Sequence, residues 1–341
     1  MAKTGWEPIK LMRLLRFAVY GLVCLALLTL VLGIYGLWVP GRSFSGQAPA
    51  LTAPERELAG RLKAHITAIA SVPHNTRRPA ALERSAAAVE AAFRSMGYEP
   101  QKQVYESDGV SVRNIWVTIE PAGGDDVAAV VVGGHYDSAG DAPGANDNAS
   151  GTAATIELAR LLKGYKPART RIYLVAFVNE ESPYWGTQDQ GAARFADLLL
   201  QKGERVRGML SLETLGWFND EPGSQTYPKP FNWIYPDIGN FVAIVGMPGS
   251  RSWLHEVIAP FRHSATVPSI GGIAPSSIPG IAWSDHAPFA DRGIPALMLT
   301  DTAPFRYPHY HRTSDTPDKV DVETLARITT ALDKTLRELA H

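Results

Sequence analysis

Six side chains able to do acid, base or metal chemistry stand just beyond short apolar runs. His135 follows Ala128–Gly134, Glu180 and Glu181 follow Arg171–Val178, Glu213 follows Gly208–Leu212, and His311 lies in the loop after Pro295–Thr300. Asp147 sits in the glycine-, alanine- and asparagine-rich loop that continues from His135. Taken alone, Ala128–Gly151 reads equally well as a turn with solvated side chains. The repetition decides. Two imidazoles and four carboxylates gathered at strand ends would drive carboxyl pKa values upward unless a cation neutralised them. A divalent pair is the simplest cation that His and carboxylate donors hold. Cys24 is the one cysteine, which excludes an intrachain disulfide and a cysteine zinc site. Gly-x-Ser-x-Gly is absent and Cys24 lies in an apolar run, which argues against a serine or cysteine nucleophile.

The elements that must position these residues follow from patterning. Ala129–Val132 are small or β-branched and uncharged, as in a strand buried on both faces of a largely parallel sheet, and Arg171–Val178 and Gly208–Leu212 repeat the pattern. Gln101–Tyr105 and Val112–Ile119 alternate as two further strands, and Pro295–Thr300 reads as a last short one. Arg56–Ile69, Pro79–Met96, Thr152–Leu162, Gly191–Leu200, Trp253–Phe261 and Val322–Leu339 have helical spacing, the third expected to be capped by Ser150. Gly216–Gly293 carries ten prolines, nine glycines and four tryptophans, too irregular for a simple connection and suited to a pocket wall. Alternating strands and helices predict an α/β fold with a mostly parallel sheet flanked by helices. Ligands bind outside the carboxyl ends of such strands, where the six residues fall.

Lys3, Lys10, Arg13 and Arg16 precede an uncharged apolar stretch, Phe17–Val39, whose 23 residues span roughly 34 Å as a helix, enough to cross a bilayer. The basic flank predicts a cytoplasmic N-terminus and a periplasmic or extracellular domain. A cleaved signal peptide is the competing reading, but its apolar core usually runs only about 7–15 residues before a small-residue cleavage site, and none follows Trp38. The expected organisation is a cytoplasmic tail 1–16, a transmembrane signal anchor 17–39, a Pro/Gly/Ser-rich linker 40–55 and a folded domain 56–341. With a net charge of −1, nothing favours nucleic acid as a partner.

GGHYDS, APGANDNASG, NEES, SLETLG, SDHAPF and YHRTSDT, in this order, resemble the motifs of the co-catalytic zinc aminopeptidases (metallopeptidase family 28) that include bacterial leucyl aminopeptidase and glutamate carboxypeptidase. The resemblance covers about residues 60 to 335. It implies a zinc-exopeptidase, phosphorylase/hydrolase-like fold with a mixed, mostly parallel sheet, and two zinc ions as cofactors. It implies that His135 and Glu213 complete one metal site and Glu181 and His311 the other, with Asp147 bridging. Glu180 would then be the general base, Asp137 the carboxylate orienting His135, and Tyr310 a stabiliser of the oxyanion. Many members have Asp at the Glu213 position. Asp285 and His286 match a family motif but are not expected to be ligands, and His74, His255, His263 and His309 are expected at the surface or in packing. The implied activity is an aminopeptidase acting on peptides with a free N-terminus, with Trp217, Phe218, Phe231 and Trp233 as candidates for an apolar side-chain pocket. The alternatives are a glutaminyl-cyclase-like acyltransferase and a non-catalytic receptor or scaffold.

Overall fold

The computed structural model describes residues 7–123 and 127–341, which divide between Trp38 and Val39 into two units. Lys3, in the expected tail, lies outside the described residues. The first unit is helix α1 (Glu7–Leu37), of which Leu11–Leu37, with mean hydropathy 2.6, is long and apolar enough to cross a membrane. It begins well before Phe17 because Glu7–Arg16 contains good helix formers and only one breaker, Pro8, tolerated in a first turn. It stops short of Val39 because Pro40 disfavours helical backbone in the residue before it.

The second unit runs in the order α2 (Ala53–Ile69), α3 (Pro79–Ser95), β1 (Gln101–Ser107), β2 (Val110–Ile119), β3 (Ala128–His135), α4 (Ser150–Leu161), β4 (Thr170–Phe177), α5 (Gly191–Gln201), β5 (Val206–Glu213), β6 (Val242–Gly246), α6 (Arg251–Ser264), β7 (Ser269–Ile273), α7 (His286–Asp291), β8 (Ala296–Thr300), α8 (Ala303–Arg306) and α9 (Val322–Leu339). The eight strands form one mixed sheet in the order β1-β2-β4-β3-β5-β8-β6-β7. β4, β3, β5 and β8 are mutually parallel at its centre, while β2 and β6 join them antiparallel.

Both faces of the sheet are covered, so its central strands alternate between two cores rather than between core and water. Val130, Val132, Ile172, Leu174, Leu210 and Leu212 face the larger core, packed by α2, α3, α4, α6 and α9. Ala129, Val131, Tyr173, Val175, Phe177 and Met209 face the smaller one, with Phe195 of α5 and Phe289 of α7.

Three expectations are corrected. β6, β7 and α7 lie within the stretch read as irregular, where dense Pro and Gly hid two five-residue strands, one of them Ser269-Ile-Gly-Gly-Ile273. Ser150 does not cap α4. Its hydroxyl donates to Asn146 O (2.7 Å) and accepts from Leu215 N (3.0 Å), tying the helix start to the residue beyond β5. Residues 40–55 are not a free linker. Arg262 donates to Pro40 O (3.1 Å) and Gly41 O (3.0 Å), Ser43 Oγ accepts from Ser269 N (2.8 Å), Arg327 bonds Pro49 O, and α2 has begun by Ala53.

Candidate metal centre

The order β4-β3-β5 sets three strand tips side by side, and β4 and β5 change direction abruptly where they deliver their side chains. Asn179, just before Glu180, and Thr214, just after Glu213, have left-handed backbone (φ 59° and 50°), as does His311 itself (φ 56°). For β-branched Thr214 this is strained and must be held by its surroundings. Its N–H donates to Asn148 Oδ1 (3.0 Å) and its hydroxyl to Asp301 Oδ1 (2.8 Å).

The six residues converge. His135 Nε2 lies 3.4 Å from Asp147 Oδ1, 3.5 Å from Glu213 Oε2 and 3.7 Å from Glu180 Oε2. His311 Nε2 lies 3.1 Å from Asp147 Oδ2 and 3.4 Å from Glu181 Oε2. Asp147 therefore turns one oxygen to each histidine. Three sets of donor atoms each fall within 4.8 Å of one another: His135/Asp147/Glu213, His135/Glu180/Glu181 and Asp147/Glu181/His311. All but His311 are buried.

Asp137 lies beside His135 and contacts it through both backbone and side chain. His135 Nδ1 bonds its backbone carbonyl (3.0 Å), with the carboxylate at 3.5 Å. The carboxylate also accepts from the backbone N–H of Glu180 (3.1 Å) and Glu181 (3.2 Å), so one residue steers the imidazole and fixes the adjacent glutamates. Tyr310 stacks its ring on His311 (3.9 Å between centroids). Burial, reinforced by the charges of Asp147 and Glu181, pushes its phenol upward.

Proton affinities record the crowding. Burial, with Asp147 adding to it, pushes Glu181 up to about 7. Burial also raises Glu180 strongly, aided by Glu213 and Glu181, and raises Glu213. Burial works against protonating the histidines, but Glu213 and Glu180 outweigh it at His135, and Asp147 and Glu181 lift His311 to about 10. Asp147, which burial would raise, is instead held low by the two histidines. Buried His135 Nε2, Asp147 Oδ2 and Glu181 Oε1 have no hydrogen-bond partner among the described residues, although donors and acceptors face one another. Unpaired buried polar atoms are costly, and this donor set fits divalent cations of the zinc type, which would satisfy the same atoms without the protons.

The supporting residues were less visible in the sequence. Asp315 accepts from Asn146 N (2.9 Å), Asp147 N (3.1 Å) and Tyr307 OH (2.7 Å), binding the His311 loop to the Asp147 loop. Asn148 Nδ2 donates to Leu212 O (2.8 Å), and Asn146 Nδ2 to Asp301 Oδ2 (2.9 Å). Ser284, in the SDHAPF segment, donates to Glu213 Oε2 (2.7 Å). Asp285 and His286 are buried and belong to none of the donor sets; His286 bonds Ile281 O, and burial pushes its imidazole down to about 4. His74 is buried with Nδ1 on Val72 O, and His309 bonds Ser314. The four aromatic pocket candidates are dispersed. Trp217 packs on Tyr307 and His309, Phe218 takes the Arg306 guanidinium, Phe231 meets Tyr235, and Trp233 is 76% exposed. The cavity beside Glu181 and His311, about 730 Å³, is lined instead by Thr76, Arg77, Asp108 and Tyr184 among others.

A mixed sheet with a cluster of histidines and carboxylates at its carboxyl rim defines a hydrolase-like α/β protein with a candidate metal centre. The chain belongs to peptidase family M28, whose profile matches residues 114–336. It is 37% identical over 256 residues to the uncharacterized protein YfbL of Escherichia coli K12, covering 72% of this chain and 77% of that one. It is 29% identical over 213 residues to a probable zinc metalloprotease of Leptosphaeria maculans, covering 56% of this chain and 47% of the fungal one, so it spans about half of that relative's length. Among solved structures, the Legionella pneumophila LapA aminopeptidase superposes with a TM-score of 0.66 at 17% identity, over 87% of this chain and 77% of that one. A glutaminyl cyclase of Fimbriiglobus ruber gives 0.60 at 18% identity, over 88% and 99%. At these identities the structural likeness establishes the fold.

Proposed function

We propose that the protein is a zinc-dependent exopeptidase, an aminopeptidase acting on peptides with a free N-terminus, and that α1 anchors it in a membrane with its N-terminus cytoplasmic and the second unit, Val39–His341, as the catalytic domain. The observation that carries the enzymatic reading is Asp147, with one carboxylate oxygen 3.4 Å from His135 and the other 3.1 Å from His311. Two ligand sets sharing one carboxylate is the arrangement a pair of ions requires. His135, Glu213 and Asp147 would hold one, and Asp147, Glu181 and His311 the other.

Divalent ions held there would supply Lewis acidity and lower the pKa of a water toward about 7. The chain's own groups do the rest. Glu180 lies beside the ligands, its Oε2 3.7 Å from His135 Nε2, so as a carboxylate it can accept a proton from water and return it to the leaving amine. Asp137 keeps Glu180 and Glu181 in register through their N–H groups. Tyr310, stacked on His311, would donate to a developing oxyanion. The cavity at Glu181 and His311 receives the peptide, with the Arg77 guanidinium and the Asp108 carboxylate at its wall.

The test is hydrolysis by the full-length protein of aminoacyl and N-blocked substrates, with chelator and with zinc restored. Cleavage of unblocked substrates alone, abolished by chelation and restored by zinc, is expected. Glu180→Gln should lower kcat by about 10²-fold or more; unchanged activity removes Glu180 from the mechanism. A second reading, cyclisation of N-terminal glutamine, is favoured by a superposition that covers 99% of the cyclase chain. Loss of ammonia from a glutamine-led peptide without chain cleavage, and near one metal per chain rather than two, would select it.

A further inference from the structure

The chain enters the second unit at Val39, two residues after α1 ends at Leu37. Only Trp38 and Val39 follow the helix end before the chain is held, so Val39 lies at most about 7 Å beyond Leu37. From there nothing is loose. Val39 packs against the larger core, Arg262 grips the carbonyls of Pro40 and Gly41, and Ser43 is bonded to the start of β7.

A solvent-exposed apolar loop shares this face. Residues 227–236 read Tyr-Pro-Lys-Pro-Phe-Asn-Trp-Ile-Tyr-Pro. Its two ends are rooted in the domain, Tyr227 stacked with buried Phe241 (6.5 Å) and Tyr235 donating to Gly271 O (3.5 Å). Gly271 is also where Val39 lies, since a Cβ there would stand 3.5 Å from Val39 Cγ1. Tyr235 and Val39 thus flank one residue of the edge strand β7. Between the rooted ends, a short 3₁₀ turn presents Trp233, 76% exposed, and Ile234, 50% exposed, with exposed Lys229 beside them. Trp233 lies two residues from Tyr235, about 7 Å along an extended chain.

We propose that Trp233 and Ile234 dock into the interfacial layer of the lipid bilayer, making residues 227–236 a second, peripheral membrane contact. The proposal rests on reading α1 as an anchor. Tryptophan and tyrosine partition to the headgroup boundary, where the ring is in an apolar layer and its N–H or O–H is wet, and a lysine beside them meets lipid phosphates. The loop lies at the rim of the sheet that carries the metal centre. Glu213 pairs in register with Thr300, Thr300 with Ala243, and Ala243 with Ile270, a row three strand spacings wide, roughly 14 Å.

The test uses the full-length protein in lipid nanodiscs. In a Cys24→Ser background, Trp233→Cys or Gln201→Cys is labelled with a polarity-sensitive fluorophore; Gln201 is exposed at the opposite rim, before β5. The label at 233 should be blue-shifted, quenched several-fold more strongly by a headgroup-level lipid quencher than the label at 201, and protected from iodide. Equal iodide quenching at both positions, with neither quenched from the lipid, overturns the docking. A label at 233 shielded from iodide but unquenched from lipid, in particles holding two copies, assigns the patch to a second chain and also overturns it. Alkaline carbonate separates this from the anchor: a chain extracted by carbonate defeats the anchor reading and the docking with it. A chain that resists carbonate yet leaves position 233 in water defeats the docking alone.

Discussion

At the scale of single residues, the proposed centre rests on Asp147, whose carboxylate faces both histidines, and on Asp315, which binds the Asp147 loop. On the proposed two-ion reading, Asp147→Asn removes the charge shared by the two ligand sets, so metal content measured by elemental analysis should fall from about two ions per chain to near none, where Glu213→Gln should cost about one. Retention of one full equivalent in Asp147→Asn would refute the bridge. Asp315 touches neither histidine, but its two oxygens take the backbone N–H groups of Asn146 and Asp147. Outer partners of this kind are typically worth about 10–100-fold in metal affinity. Asp315→Ala should weaken zinc binding in a competition titration by that order, and Asp315→Asn, which keeps one acceptor, should recover part of it. Equal affinities in all three proteins would reduce Asp315 to a packing residue.

At the scale of elements, the parts of the site legible in the sequence were those written in one strand or loop. β3, β4 and β5 announce themselves because both faces are buried, and each ends where polar residues begin. What could not be read is what joins distant segments. The bonds from Asp315 to Asn146 and from Asn148 to Leu212 link residues far apart in the chain, and the bond steering His135 comes from the carbonyl of Asp137, which every residue possesses. Ser150 looked like a helix cap because the cap rule is local, whereas its bond to Leu215 is tertiary. β7 went unread because a strand with two glycines in five residues has little side-chain pattern to show.

Gly151 is a close-approach point between two such elements: a Cβ there would stand 2.0 Å from Leu212 O. Gly151→Ala must push α4 off β5, with an expected loss of about 1–3 kcal/mol in denaturant unfolding; an unchanged midpoint would contradict this packing. Glu90 of α3 offers a pH test. Burial would raise its carboxyl, but bonds from Lys102, Arg94 and Arg113 outweigh that and hold it at about 2, against 4.5 unperturbed. A carboxyl depressed by folding stabilises the native state above its unfolded pKa and ceases to do so as pH falls through the folded one. The contribution of Glu90 is therefore complete above about pH 4.5 and lost from there down to about 2. Between pH 5 and pH 3 the urea midpoint of the parent should fall more than that of Glu90→Gln, and parallel losses would exclude the effect.

At the scale of the whole molecule, the grip of Arg262 on Pro40 and Gly41 bears on how the anchor proposed for α1 would act. A free tether of residues 40–55 would let the domain wander about 5–6 Å for each square root of its residue number, roughly 20–24 Å. Such a leash sets a local concentration and lets the active site sweep a volume. If α1 is the proposed anchor, a chain held at Pro40 and Gly41 has less reach than such a leash, and cleavage would depend on the distance of a substrate from the lipid. Peptides attached to lipid through spacers of graded length should show a narrow optimum of cleavage in vesicles bearing the full-length protein. A Gly/Ser insert between Trp38 and Val39 should flatten that optimum while leaving soluble peptides cleaved as before. Identical profiles with and without the insert would mean that the clamp opens in use.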